Sequence, residues 1–456
     1  MGVLNVFFAV LSAGIAIILF FALKQKTYGP IKPLEEKWWG DGERKPENQD
    51  VTRFHLQFRP QKYTGLLSKL ESTRFFQSLE DVNWEYGTRP DFMRTVVDYW
   101  QNKFSWESQV NYMNKFKHFK TNIDGIQLHF VHMKPSNVKP ETKVLPIILV
   151  HGWPGSFFEF HKAIPLLLEE KDGIAFEIVV SSLPGYGYSS APRKAGMSPE
   201  YISIVMKKLM LRLGHKSFYA QGGDWGSEVA RMMARLFPGN VKGLHVNMWV
   251  HFTNPRYPVL THVLGAIAPS LVLPNKNERD KIFPVWGLLP KLLESTGYFH
   301  LQATKPDTIG FALNDSPAGL ASYVLEKFVM GFSGTTCHDK DVLACTGQKV
   351  TLDELLTNVM IYWDTNSMPS AVRLYKEAIQ SKNADLKFYP ITVPTGFADF
   401  PREAFPPPKS WVEASCTNLV SYSVMENGGH FAAFEEPVAF SEDVRKFVLK
   451  VESLTS

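Results

Sequence analysis

The chain has 456 residues, of which 45% are hydrophobic and 21% are charged, and its formal net charge is only +4 at pH 7. This length allows a large buried core and predicts two or three structural units. The small net charge and the lack of Lys/Arg-rich runs with interleaved aromatic residues argue against nucleic acid as a partner. Three cysteines, Cys337, Cys345 and Cys416, form no C-x-x-C pair, which fits a reducing compartment and gives no support to a zinc site.

Residues 1–26 predict a membrane anchor. Residues 3–23 carry no charge, and at helical rise they would span about 30 Å, the hydrocarbon thickness of a bilayer. A cleaved signal peptide is the alternative, but a basic n-region and a small-x-small cleavage site before the first charges are both missing. Lys24 and Lys26 follow the apolar stretch, so the positive-inside rule places them and all later residues on the cytoplasmic side.

Residues 27–115 form the second predicted unit. Up to about residue 50 the chain is rich in proline, glycine and charge around Trp38-Trp39-Gly40, which indicates a linker or a strap. Helix-like stretches at 63–79 and 90–104 then alternate with aromatic residues. We expect an N-terminal helical region that packs against the main domain.

Residues 116–248 show strands alternating with helices, which predicts an α/β fold with a mostly parallel sheet. Near-continuous apolar runs such as 144–150 are typical of strands buried on both faces. The predicted strands are residues 126–133, 144–150, 176–183 and 243–248, together with the run that begins at Phe218. The predicted helices begin near Ser156, at Pro199 and at Ser227.

The alternation stops in residues 249–385, which are helical and aromatic with proline-rich breaks. We interpret this part as a cap inserted between two strands of the sheet. Strands at 386–393 and 419–425 and a helix at 437–451 then complete the core, whose second part is residues 386–456.

The stretch from Phe218 to Ser227 carries the clearest functional signal. An apolar run enters Gly222-Gly223, Asp224 follows, and Gly226 precedes a helical pattern. This is the pattern of the nucleophile elbow of an α/β-hydrolase, where small residues flank the nucleophile because the sharp turn brings backbone close to backbone. A carboxylate at the apex attacks saturated carbon and gives an ester. The alternative is that Asp224 is only a helix N-cap.

His430 follows the last predicted strand in a Gly-Gly-His-Phe sequence, where it could reach over the carboxyl end of the sheet toward Asp224. The alternative is a solvated loop residue, since the chain has 13 histidines. A third group, an acid, is expected after the strand before last. Asp399 and Glu403 both qualify, and spacing alone leaves the choice open. The turn His151–Gly155, at the end of another strand, would present unpaired backbone N–H groups above the sheet edge.

Three motifs now indicate a family. The elbow at 222–226, the His-Gly-Trp-Pro turn at 151–154 and the Gly-Gly-His-Phe-Ala-Ala-Phe-Glu-Glu-Pro run at 428–437 resemble those of the microsomal epoxide hydrolases. The apolar N-terminus and Trp38-Trp39-Gly40 are also similar to that membrane-bound branch, which includes insect juvenile hormone epoxide hydrolases. The resemblance covers nearly the whole chain. It implies an α/β-hydrolase fold with an inserted helical cap, an N-terminal helical region and one transmembrane anchor in the endoplasmic reticulum, with the catalytic part facing the cytosol.

The resemblance also implies roles for residues of the core. Asp224 matches the nucleophile of the family and His430 its water-activating base. Glu403 matches the acid that orients the histidine, which favours it over Asp399. The backbone N–H groups of Trp153 and Trp225 match the oxyanion hole.

In the cap, Tyr298 and Tyr375 match the two tyrosines that polarise the oxirane oxygen. Epoxide opening needs an anion behind the carbon and acidic O–H donors on the oxygen, so neither a metal nor an organic cofactor is required. The implied reaction converts a lipophilic epoxide, with juvenile hormone and xenobiotic oxides as candidates, and water into a vicinal diol. The alternatives are a haloalkane dehalogenase with the same elbow and a catalytically silent, membrane-tethered lipid-binding protein.

Overall fold

The structure, a computed structural model, describes residues 28–250, 258–284, 290, 293–333 and 349–455. Within these ranges, no helix has both the length and the apolar character required to cross a bilayer. The predicted anchor, residues 1–26, lies outside the described residues, and so do Cys337 and Cys345.

One nine-stranded sheet organises the described chain. Its strands are β1 Thr52–Phe54, β2 His118–Ile123, β3 Ile126–Met133, β4 Lys143–Val150, β5 Ile174–Ser181, β6 Phe218–Gly222, β7 Val241–Val246, β8 Thr395–Asp399 and β9 Leu419–Val424. They are ordered β1-β2-β3-β5-β4-β6-β7-β8-β9. The pairs that involve β1, β2 and β3 are antiparallel, whereas β5, β4 and β6 to β9 run parallel to one another. The predicted α/β class with a mostly parallel sheet is confirmed.

The central strands are apolar because helices cover both faces of the sheet. Every residue of β5 is buried, and the last four residues of β4, Ile147–Val150, are buried as well. The covering helices are Ala163–Leu168, Pro199–Arg212, Asp224–Leu236 and Pro437–Thr455. In the helix Asp224–Leu236 every residue from Val229 to Arg235 is buried, so this helix is covered on most sides.

Every regular element that the structure describes between β7 and β8 is helical, as the sequence predicts for the cap. These helices are Pro258–Ile267, Pro269–Val272, Lys276–Ile282, Gly297–Thr304, Pro306–Asp315, Pro317–Ser333, Leu352–Thr365 and Met368–Ile379, followed by the 3-10 helix Ala384–Phe388. The helix Leu352–Thr365 begins with a capping box between Thr351 and Glu354 and ends at Asn366, which has a left-handed backbone. Local sequence therefore sets the ends of this helix.

The N-terminal region contains the helices Pro60–Glu71, Pro90–Asn102 and Trp106–Met113. The strap at Trp38-Trp39-Gly40 crosses the turn between β2 and β3. The Trp39 N–H donates to the Asp124 carbonyl oxygen (2.8 Å), and a Cβ at Gly125 would overlap the backbone of Gly40. Because Trp39 is almost fully buried, the strap is part of the folded body.

The predicted strand at 386–393 is wrong. The structure has the 3-10 helix Ala384–Phe388 there, and β8 begins only at Thr395. Pro390 and Pro394 explain the shift, because proline lacks the N–H that a central strand donates to its neighbour. Only Ile391 makes an isolated bridge, to Cys416.

Three smaller predictions also need correction. The helix expected at 63–79 ends at Glu71, and the N-terminal region also contributes the edge strand β1. The helix expected near Ser156 is the 3-10 helix Phe157–Phe160, because the Ser156 Oγ accepts the N–H of Phe158 and the chain then turns. A short α-helix, Ala163–Leu168, follows it.

Candidate active site

The carboxyl ends of the parallel strands bring the predicted core residues together. In the sheet, Val150 of β4 lies opposite Gly222 of β6, Gly222 opposite Val246 of β7, and Val246 opposite Phe397 of β8. The loops that follow these strands therefore leave the sheet side by side. This edge is where open α/β sheets bind ligands.

Asp224 lies at the apex of the elbow with a positive φ of 48°. A Cβ at Gly222 would overlap the carbonyl of Gly226, and a Cβ at Gly226 would overlap the carbonyl oxygen of Val150. Only glycine fits at these two positions, which is why the flanking pattern exists. The helix begins at Asp224 itself and its N-cap is Gly223, so the interpretation of Asp224 as the N-cap is wrong.

The Asp224 carboxylate accepts a hydrogen bond from the turn that follows β4. The Trp153 N–H donates to Asp224 Oδ1 at 2.8 Å. A Cβ at Gly152 would overlap that same carboxylate, so glycine is needed for this approach. The turn is held from the cap, where Asn358 Nδ2 donates to the Pro154 carbonyl oxygen at 2.6 Å. The backbone thus presents an N–H to the oxygen on which charge would develop.

His430 bridges two carboxylates. Its Nε2 lies 3.3 Å from Asp224 Oδ2, and its Nδ1 lies 3.0 Å from both carboxylate oxygens of Glu403. Burial works to lower the pKa of this imidazole, but the charges of Glu403 and Asp224 hold it well above its usual value. Asp399 instead accepts a hydrogen bond from the Tyr422 hydroxyl at 2.8 Å. The structure thus places Glu403, and not Asp399, against the histidine.

Tyr298 and Tyr375 of the cap meet above the elbow around the Trp153 indole. The Tyr298 ring stacks on Trp153 with a centroid distance of 5.4 Å, and Tyr375 meets Trp153 edge to face at 5.7 Å. Trp225 contributes its indole to this group, 4.9 Å from the ring of Tyr375. Whether its backbone N–H joins the oxyanion hole stays a prediction.

The two phenols remain protonated at neutral pH. Burial raises the pKa of Tyr298, and the nearby charge of Asp224 raises it further. Burial, Tyr298 and Asp224 likewise raise the pKa of Tyr375 well above its usual value. Both side chains are therefore O–H donors.

These groups surround a cavity of about 520 Å³ between the sheet edge and the cap. Its wall is mainly apolar and aromatic, as expected for a site that takes a lipophilic molecule. Asp224, His430, Tyr298 and Tyr375 all line it. Other lining side chains are Met248, Val250, Phe299, Met330, Ile379, Phe388, Phe405 and Phe431.

Sequence reasoning missed two acids beside this site. Glu159 lies in the 3-10 helix Phe157–Phe160, and Glu435 ends the short helix Ala432–Glu435. Burial raises the pKa of each carboxyl to about 8. Each acid directly follows phenylalanine in an apolar run. An acid within such a run is unusual, because acids are rarely buried, and this pattern could have indicated both residues.

Known proteins share the sequence pattern and the fold of this chain. Residues 51–160 match the family described as epoxide hydrolase N terminus, and residues 146–258 match the alpha/beta hydrolase fold. The chain is 42% identical to epoxide hydrolase 1 of Oryctolagus cuniculus over 92% of this chain and 94% of that protein. The chain belongs to the epoxide hydrolase family. The recognised family and the predicted enzyme class are thereby confirmed.

Other epoxide hydrolases extend the similarity to insects and to solved structures. The chain is 39% identical to juvenile hormone epoxide hydrolase 1 of Ctenocephalides felis, over 97% of this chain and 95% of that protein. The crystal structure of juvenile hormone epoxide hydrolase from the silkworm Bombyx mori superposes with a TM-score of 0.85 at 34% identity, covering 92% of this chain and 99% of that one. The Aspergillus niger epoxide hydrolase gives a TM-score of 0.73 at 28% identity, covering 89% and 97%. The epoxide hydrolase thus has its family's fold along nearly its full length.

Proposed function

We propose that this epoxide hydrolase opens lipophilic epoxides through a covalent ester on Asp224. The observation that carries the proposal is the position of the Asp224 carboxylate. It lies between the Trp153 N–H and His430 Nε2 and lines the apolar cavity together with Tyr298 and Tyr375. An anion thus faces the same space as two O–H donors.

In the first step, Asp224 attacks an oxirane carbon. The backbone N–H of Trp153 holds Oδ1, so Oδ2, which lies 3.3 Å from His430 Nε2, forms the new bond to carbon. The carbon–oxygen bond of the oxirane breaks, and the alkoxide that results takes a proton from Tyr298 or Tyr375. The products are a hydroxyalkyl ester on Asp224 and a tyrosinate, and the ring strain of the epoxide drives the step.

In the second step, water cleaves the ester. Esterification removes the charge of Asp224, one of the two carboxylates that raise the pKa of His430, so the imidazolium releases its proton to solvent and the neutral imidazole can act as a base. It takes a proton from water, which attacks the Asp224 carboxyl carbon while Trp153 N–H meets the developing oxyanion. The departing diol oxygen takes the proton from His430, and the proton left on the regenerated carboxyl returns to the tyrosinate. The imidazole takes a proton back from solvent when the Asp224 carboxylate is regenerated. Glu403 holds the imidazole in position throughout.

One turnover of excess enzyme in oxygen-18 water tests the covalent step. Because the first new diol oxygen comes from Asp224, we expect that diol to be unlabelled and the label to enter the carboxylate. Mass spectrometry of the diol and of the peptide that contains residue 224 measures both. Label in the first diol would mean direct attack by water and would contradict the proposal.

We infer that the substrates are apolar epoxides, with juvenile hormone as one candidate and aryl oxides of xenobiotics as another. The apolar wall of the cavity and the names of the insect relatives support the candidates. Side-by-side kcat/KM values for a juvenile hormone and an aryl oxide decide between them. We expect both to exceed those of a short polar epoxide, because apolar burial contributes about 0.8 kcal/mol per CH₂.

We also propose that residues 1–26 anchor the enzyme in the endoplasmic reticulum membrane with the catalytic part in the cytosol. Support comes from the uncharged stretch 3–23 and the lysines that follow it. The described chain starts at Tyr28, whose ring lies 4.6 Å from that of Tyr389, next to the cavity-lining Phe388. The anchor would thus leave the protein beside the cavity, where a lipophilic substrate could enter from the bilayer.

Protease added outside sealed microsomes tests this orientation. We expect the catalytic part to be digested without detergent, because the proposal leaves it outside the vesicle. Protection until detergent is added would place it in the lumen. A chain that lacks residues 1–26 is the control, and it should no longer sediment with the membranes.

A haloalkane dehalogenase would use the same elbow but would need halide-binding N–H donors where this enzyme has two tyrosines. A silent binding protein would have no need for Asp224, His430 and Glu403 in contact. The tyrosine pair and this contact both favour epoxide hydrolysis.

A further inference from the structure

A second histidine–carboxylate cluster lies outside the active site. In the part of the chain that the structure describes, one group of three histidine, cysteine or acidic side chains holds its potential ligand atoms within 4.8 Å of one another: His132, Glu177 and His215. His132 Nε2 lies 2.7 Å and His215 Nε2 lies 3.1 Å from the same oxygen, Glu177 Oε1. The proposed mechanism uses none of the three.

The three ligand atoms converge from distant parts of the sequence. His132 is near the end of β3 and Glu177 is in the middle of β5, where Met133 pairs with Ile178. His215 follows the helix Pro199–Arg212 and precedes β6. The side chains are only 11 to 15% exposed, so the fold and not chance contact on the surface holds them together.

The geometry points to a divalent transition-metal site. We propose that His132, Glu177 and His215 bind one Zn²⁺-class ion, with a fourth position left for water. Two imidazoles and a carboxylate are a donor set that zinc uses, whereas Mg²⁺ and Ca²⁺ prefer oxygen ligands to imidazole nitrogen. Ligand atoms around tetrahedral zinc lie about 3.3 Å apart, because each is about 2.0 to 2.1 Å from the metal. The two Nε2–Oε1 distances of 2.7 and 3.1 Å are close to this value, and all three ligand atoms lie within 4.8 Å of one another.

Lys134 contacts the same oxygen of Glu177 that both histidines contact. Its Nζ lies 3.1 Å from Glu177 Oε1, and its side chain is 65% exposed. An ammonium group and a metal ion compete for the same carboxylate oxygen. Because Lys134 is on the surface, it can swing into solvent when the metal binds, so the lysine weakens the site without blocking it.

A bound ion would join three elements of the fold. It would connect β3, β5 and the segment that enters β6, and β6 leads into the elbow. Metal binding to the folded state alone stabilises that state, by an amount that rises with the logarithm of the metal concentration once that concentration exceeds Kd. We therefore expect Zn²⁺ to raise the melting temperature and to leave epoxide turnover unchanged, since the cluster takes no part in the proposed chemistry.

Cobalt titration of the full-length enzyme tests the site. The thiols are first blocked by alkylation, because the chain has three cysteines that could bind metal on their own. We expect one Co²⁺ per chain with visible d–d absorption, displaced by Zn²⁺ but not by Mg²⁺. Substoichiometric binding, or equal displacement by Mg²⁺, would overturn the proposal.

Substitutions locate the ion. His132→Ala and His215→Ala should each weaken binding by at least about tenfold and abolish the Zn²⁺-dependent shift in melting temperature. His55→Ala, at an exposed histidine, is the matched control and should bind as the wild type does. Binding that survives in the His132→Ala/His215→Ala double variant is adventitious only.

Lys134→Ala distinguishes two interpretations of the cluster, a metal site and a set of ion pairs. If the cluster binds metal, removal of the competing ammonium should tighten Zn²⁺ binding severalfold. If Glu177 serves only to pair with basic side chains, the variant will bind no more metal than before. That outcome would contradict the proposal even where the histidine variants prove unstable.

Discussion

The sheet edge and the cap contribute to the active site in different ways. On the sheet edge, backbone geometry places the proposed reactive groups: Asp224 has a positive φ, Trp153 contributes a backbone N–H, and glycine is required on both sides. In the cap, side-chain packing places them, because Tyr298 and Tyr375 owe their positions to ring contacts with Trp153. We therefore expect the sheet edge to tolerate few substitutions. In the cap, residues around the hydroxyls of Tyr298 and Tyr375 should be easier to substitute.

Hydrogen bonds to the backbone fix the cap onto the sheet edge. The backbone N–H of His430 donates to the Gly331 carbonyl oxygen at 2.9 Å, and Arg402 Nε donates to the Phe332 carbonyl oxygen at 2.6 Å. A Cβ at Gly429 would overlap the Gly331 carbonyl. The loops that carry His430 and Glu403 are thus docked on the end of one cap helix, so the two regions act as one site.

The largest effect is expected at the sheet edge. Asp224→Asn should lower kcat/KM by about 10⁴-fold or more, because a neutral amide is a poor nucleophile. Steady-state diol formation measures it. Asp399→Asn, a carboxylate that contacts Tyr422 instead of the histidine, is the matched control and should keep nearly full activity. Equal losses of activity in Asp224→Asn and Asp399→Asn would show that Asp224 has no catalytic role that Asp399 lacks.

Glu403→Gln should have the next largest effect, about 10³-fold on kcat. Loss of this charge lowers the pKa of His430 and weakens its orientation, so ester cleavage slows while ester formation is spared. Rapid quench with mass detection should show the Asp224 ester accumulating. If both steps slow equally, Glu403 does not act through the histidine.

In the cap, Tyr298→Phe and Tyr375→Phe together should lower the rate of ester formation by about 10²- to 10³-fold, the range for a lost hydrogen-bond donor. Each single variant should lose less, because the other hydroxyl can still protonate the alkoxide. Pre-steady-state ester formation is the measurement. Tyr323→Phe is the control in the same region, since that hydroxyl accepts a hydrogen bond from Gln302 (3.2 Å) and does not line the cavity. Full turnover in the double variant would favour a different electrophile.

Substitution of Glu435 should change catalysis least, and its main effect should be on stability. Glu435 therefore tests how the stability of the sheet edge depends on pH. Its pKa rises from 4.5 to about 8 on folding, so the folded state favours the protonated acid. The stability that this confers is complete below pH 4.5 and is lost as the pH rises toward 8, by a few kcal/mol at most. Glu435→Gln mimics the protonated form, so its urea midpoint should exceed that of the wild type at pH 8 to 9.

The neighbouring Glu436 gives the control for that prediction. Its carboxylate pairs with Lys349, so Glu436→Gln should not remove the dependence of stability on pH. A wild-type midpoint that stays constant between pH 6 and 9 would contradict the assignment of the raised pKa to Glu435.

The α/β class, the elbow and the order of its partners could be predicted from the amino-acid sequence, because these features depend on local rules. Glycines flank Asp224 since no side chain fits there, and His430 follows a glycine turn after the last strand. Local rules failed where a proline mattered more than apolar character: Pro390 and Pro394 moved the start of β8 to Thr395.

Features that depend on contacts between residues far apart in the chain could not be predicted from the sequence and follow from the folded structure. Asp399 and Glu403 are equivalent in spacing, and the contact with His430 selects Glu403. Burial raises the pKa of Glu159 and Glu435, and the sequence gives only an indirect sign of that burial in the aromatic residues that precede each acid. Glu177 and the two histidines that contact it are far apart along the chain, and only the pairing of β3 with β5 and the position of His215 bring their side chains together.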